Sequence, residues 1–70
     1  MNYTELNKII DESGLKKTAI AHRIGMKPGT LKDRLNGTTE FKLSEVAKIS
    51  VVLGLNRTAM SRIFFADDVQ

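Results

Sequence analysis

The sequence predicts an all-α fold, a compact five-helix domain spanning residues 1–70 with an ordered core from about residue 3 to residue 65. Three observations carry this. Apolar residues recur at three- and four-residue spacing along the chain, the period of a helix with one buried face. Glycines at 14, 25, 37 and 54 fall where those patterns stop. No connection exceeds six residues, which leaves no linker between domains, and the segments differ too much to be repeats.

Taken in order, helix one is expected over Tyr3–Ser13, with Leu6, Ile9, Ile10 and Tyr3 as its apolar stripe. Asn2 can cap it, Glu5 completes a capping-box spacing, and Gly14 follows its end. Helix two covers Lys17 to Ile24, turning Ile20, Ala21 and Ile24 inward. Its start is weak, because Lys16 at the cap has no side-chain acceptor. Helix three opens at Pro28, whose fixed φ and missing N–H suit a first helical position. It runs to about Leu35, with Leu31 and Leu35 one turn apart on the buried side and Asn36-Gly37 as terminator. Helix four is expected over Leu43–Leu53, with Leu43, Val46, Ala47, Val51 and Leu53 available for packing. Asn56 caps helix five, from Arg57 to about Phe65, which offers Ala59, Met60, Ile63 and Phe64 to the core. Ala66 to Gln70 reads as a frayed tail.

Size and composition exclude several classes. A chain of 70 residues buries only about 60% of its unfolded surface, so its core must be efficient. Without cysteine there is neither a disulfide nor a thiolate metal site, and one histidine cannot build a zinc site. The apolar content of 41% argues against disorder. No apolar run approaches the roughly 20 residues of a membrane helix. The polar, acidic opening MNYTEL is unlike a secretory signal, so a cytoplasmic protein is expected. No catalytic residue is expected either: a general base needs an orienting partner and a nucleophile, and His22 has neither at a recognisable spacing. It reads as a surface histidine. No phosphate loop, metal motif or cofactor motif is present.

The charge is uneven. Residues 1–15 carry −2, residues 16–42 carry +5 and residues 43–70 balance at zero, for a total of +3. The basic segment coincides with helices two and three, where a phosphate backbone would want it, although a solvated face would look the same. Between those helices Gly25 can reverse the chain without steric cost. Ala21 keeps the crossing close, since a bulky side chain there would push the helices apart. Two short helices joined this way most often place the second in a DNA groove.

At this point the stretch AHRIGMKPGTLKDRLNG resembles the helix-turn-helix of phage repressor and Cro-type regulators, the lambda-repressor-like DNA-binding domains. Ala21, Gly25, Met26, Leu31 and Asn36-Gly37 fall where that family places its structural residues. The later LSEVAKISVVLGLNRTAMSRIFF resembles its fourth and fifth helices. The resemblance spans about residues 3–65 and implies a five-helix fold that binds double-stranded operator DNA, generally as a homodimer. It places Lys17 at the start of helix two, within reach of a phosphate. It sets Pro28, Gly29, Thr30, Lys32 and Asp33 on or near the DNA side of the recognition helix.

Chemistry then ranks the polar positions. Lys32 can donate to guanine O6 or N7 and Asp33 can accept from cytosine N4, unless Asp33 caps or pairs within the helix. Thr30 can contact a base edge or a phosphate. Lys27, Pro28, Gly29, Asn36, Thr38, Thr39 and Lys42 are expected along the sugar–phosphate backbone, and Arg34 reaches the backbone or is solvated. Phe64 and Phe65 are adjacent and cannot both face one core, so one of them is expected at a dimer interface, unless fraying or burial against helix one covers it. The expected function is sequence-specific regulation of transcription, as a phage or prophage repressor of Cro-like type that occupies an operator, its dimer formed in solution or only on DNA. Two rivals stand beside it: an antitoxin-type regulator, and an interaction module of the same fold that does not bind DNA. The second draws support from Pro28 and Gly29, which offer no side-chain hydrogen bond to a base.

Overall fold

Each helix forms on a one-sided apolar pattern, and the first and last also open on a side-chain cap. The computed structural model describes residues 1–65; the expected frayed tail lies outside them. It contains α1 (Tyr3–Ser13), α2 (Lys17–Arg23), α3 (Pro28–Asn36), α4 (Leu43–Leu53) and α5 (Arg57–Phe64). Three ends move by one residue from expectation: Ile24 leaves α2, Asn36 joins α3, and α5 stops at Phe64.

The expected caps form. Asn2 Oδ1 accepts the Glu5 N–H at 2.9 Å, and Asn56 Oδ1 accepts the Ala59 N–H at 2.7 Å. Lys16 gives α2 no side-chain cap. Lys27, ahead of Pro28, is extended at φ −69° and ψ 143°, the region to which the proline ring confines its predecessor.

One core joins all five helices: Leu6 and Ile10 from α1; Ile20, Ala21 and Ile24 around α2; Leu31 and Leu35 from α3; Val46 and Ile49 from α4; Ile63 and Phe64 from α5. The most extensive helix–helix contact is between α2 and α3. Ala21 is fully buried. The chain ends of the bundle are tied together: the Asn2 N–H donates to the Ile63 carbonyl at 2.7 Å, and the Arg62 guanidinium pairs with the Glu5 carboxylate. No helix among the described residues is long and apolar enough to cross a membrane.

The expected packing of α4 needs correction. Leu43 is 73% exposed, Val51 81% exposed, and Ala47 also faces solvent. The inward residues are Val46, Ile49 and Ser50, with Leu53 half-buried behind them. These follow the spacing i, i+3, i+4, i+7, one face of a helix. Leu43, Ala47 and Val51 follow i, i+4, i+8, a neighbouring stripe that the bundle leaves uncovered.

Candidate nucleic-acid interface

The turn between α2 and α3 is built by backbone hydrogen bonds. The Gly25 N–H donates to the His22 carbonyl at 3.2 Å, and the Met26 N–H reaches back to the Ala21 carbonyl at 2.8 Å. Such a pair closes a helix when the residue past its end is left-handed, and Gly25 has φ +71°. The reversal leaves α3 with Leu31 and Leu35 buried and its opposite side open.

That open side carries Pro28, Gly29, Lys32, Asp33 and Asn36, all exposed. At 100° per residue they form one continuous face. Lys32 lies one turn beyond Pro28, and Asn36 one turn beyond Lys32. Asn36 therefore shares the face with the expected base readers. Thr30 is half-buried, at the edge of this face and away from its centre. The Asp33 carboxylate makes no hydrogen bond or ion pair among the described residues, so it does not cap its own helix. A Cβ added at Gly29 would meet nothing within 4 Å, so the backbone is bare there.

Six cations of residues 16–42 stand free. Lys16, Lys17, Arg23, Lys27, Lys32 and Lys42 are exposed and form no ion pair among the described residues. Thr38 and Thr39 lie in the α3–α4 loop, both N–H groups donating to the Asp33 carbonyl at 3.0 and 3.3 Å.

Arg34 departs from expectation. Its guanidinium is neither solvated nor extended toward a phosphate. Nε donates to Glu45 Oε1 at 2.9 Å, the second terminal nitrogen reaches Oε2 at 3.3 Å, and the first donates to the Thr39 hydroxyl. Its side chain is only 12% accessible. The same Glu45 oxygen accepts the Lys42 N–H at 2.8 Å and so caps the start of α4. Arg34 is thus a positioning residue that clamps α3, the loop and α4 together. Its hydrogen bond holds the Glu45 carboxyl below its ordinary range, and Glu45 in turn raises the guanidinium. Glu45 is absent from the expected site. Its position three residues after Lys42 is a local capping signal, but its partner lies in another helix.

Of the two adjacent phenylalanines, Phe64 is the one the core takes, as helix five's apolar pattern expects: it is buried and packs edge-on against Phe41, ring centres 5.6 Å apart, which leaves little of it for the expected interface between copies. Phe65 is half-buried. His22 is exposed on α2.

The sequence profile of the helix-turn-helix family HTH_3 matches residues 6–59. The chain belongs to this helix-turn-helix family, whose domains are DNA-binding regulatory modules and not catalysts. No curated protein and no solved structure matches the chain.

Proposed function

We propose that this protein is a sequence-specific regulator that binds operator DNA through α3 and represses transcription by occupying the site, in the manner of a phage or prophage Cro-type repressor. The observation that carries this reading is the exposed polar face of α3, on a helix tied to α4 by Arg34 and Glu45, in a segment whose lysines are exposed and unpaired among the described residues. Lys32 and Asp33 read base edges in the major groove, with Asn36 beside them. Lys17, Lys27, Thr38 and Lys42 hold the sugar–phosphate backbone, and the bare backbone at Gly29, next to Pro28, allows close approach to it.

A recognition helix of nine residues reads few base pairs. Two copies on a two-fold operator would read half-sites about 34 Å apart. The molecule measures 33 × 23 × 20 Å, so neighbouring copies at that spacing meet over a small patch. This favours a homodimer that forms on DNA.

Selection of duplexes from a random pool, followed by salt titration on the winner, tests the reading. A shared motif should emerge, and affinity should fall steeply with salt as condensed counterions are released. No enrichment and no salt dependence would leave a protein-interaction module, for which the exposed Leu43–Val51 stripe would be the contact surface.

A further inference from the structure

The chain has one tyrosine, three phenylalanines and no tryptophan, and all four rings line a single cleft on the side of the bundle. Tyr3 opens α1, Phe41 precedes α4, and Phe64 and Phe65 end α5. The cleft is half-open, with a volume of about 550 Å³, within the usual range of small-ligand sites. Phe64 is the buried member, edge-on to Phe41 and tilted 54° against Phe65 at 6.5 Å. The other three rings are half-buried. Among the described residues of the lining, which also include Met1 and Val46, Glu40 supplies the one carboxylate, and it makes no hydrogen bond or ion pair among the described residues.

We propose that this cleft is a binding site for a small organic cation, an ammonium carried on an apolar or aromatic body. Aromatic faces carry negative electrostatic potential and attract a cation within about 6 Å. An unpaired carboxylate at the same opening adds charge complementarity. An anion would meet repulsion from both, and a neutral apolar molecule would leave Glu40 unused. The cleft also touches the DNA-facing element. The Tyr3 ring lies against Gly37, close enough that a Cβ there would sit 3.2 Å from it. A ligand resting on Tyr3 is therefore felt at the end of α3.

The test is an NMR titration of the free protein with benzyltrimethylammonium, compared with benzyl alcohol and 3-phenylpropionate. The cation should shift the resonances of Tyr3, Phe41, Phe65 and the Gly37 amide along one saturable curve. It should bind about 2- to 5-fold more tightly than the neutral analogue, and the anion should bind least. Glu40→Gln, at an exposed position, should remove most of the preference without changing thermal stability. Phe65→Leu, which keeps apolar bulk but removes a ring face, should weaken the cation more than the alcohol. Equal affinity for all three compounds, or shifts away from the cleft, would overturn the proposal. Cleft resonances that change with protein concentration alone would also overturn it and assign the cleft to a second copy. No DNA is used, so this outcome is separate from that of the regulatory reading.

Discussion

At the scale of single residues, Gly37 and Lys32 carry the sharpest expectations. Gly37 has φ +80° and faces the Tyr3 ring. Alanine there meets a left-handed backbone penalty of about 1–2 kcal/mol and must also displace the ring. Gly37→Ala should lower the melting temperature, by about 4–8 °C for each kcal/mol lost in a domain of this size. An unchanged melting curve would show that the ring yields and the backbone relaxes. Lys32 lies on the open face of α3, and in the proposed complex Lys17, Lys27 and Lys42 lie at its margins. Lys32→Ala should relax preference at one base position by roughly 1–3 kcal/mol if its contact is bidentate. A margin lysine changed to alanine should weaken all duplexes alike and lower the salt slope by about 1. Competition binding on operator variants separates the two. Equal loss on every sequence would reassign Lys32 to the backbone.

At the scale of elements, two junctions hold α3 in place. The first is its crossing with α2, where Ala21 has no accessible surface. Ala21→Phe should destabilise by about 1–3 kcal/mol through overpacking, read from denaturant unfolding. Unchanged stability would mean that the helices can separate without loss. The second junction is the pair of Arg34 and Glu45. The Glu45 carboxyl titrates below its ordinary value of 4.5 because it accepts hydrogen bonds from Arg34. A depressed folded value means that its contribution to stability is complete above the unfolded value and is lost as pH falls through the lowered one. Wild type should therefore exceed Glu45→Gln in melting temperature by a constant margin near neutrality. The margin should shrink once pH drops below about 4.5. Glu5 is held low in the same direction by Arg62, so acid should also loosen α1 from α5 in both proteins. A margin independent of pH would show that the ionised pair contributes nothing beyond its neutral replacement.

At the scale of the whole molecule, the question is how two copies would meet. Burial of Phe64 leaves two candidates: Phe65, half-buried against the core, and the exposed α4 stripe of Leu43, Ala47 and Val51. The stripe is more exposed and straighter, and the small Ala47 at its middle would allow close approach of a second helix. Sedimentation with a palindromic duplex should show two copies per duplex at saturation. Val51→Ser should reduce cooperativity more than Phe65→Ala if the stripe is the contact. The reverse order would return the interface to α5. One copy per duplex at saturation would sink the homodimer.

The number, order and nearly all the ends of the helices were legible in the sequence because caps, stops and stripes act over three or four residues. Asn2, Asn56, Pro28 and Gly25 each work through their own neighbours along the chain. The open face of α3 was legible for the same reason: Leu31 and Leu35 commit one side of the helix and leave Lys32 and Asp33 on the other. Tertiary structure decided what depends on partners distant in sequence. Helix α4 carries two apolar stripes, and its local pattern does not say which one the bundle covers. Arg34 looked like a free cation until folding brought Glu45, 11 residues away, within hydrogen-bonding distance. Helix five's stripe turns Phe64 inward, but that its ring meets Phe41 edge-on, 23 residues away in sequence, is decided by packing alone. The convergence of four aromatic rings on one cleft has no local signature, because Tyr3 and Phe65 lie at opposite ends of the described chain. Local chemistry specifies each helix. Long-range packing decides which of its faces is left for function.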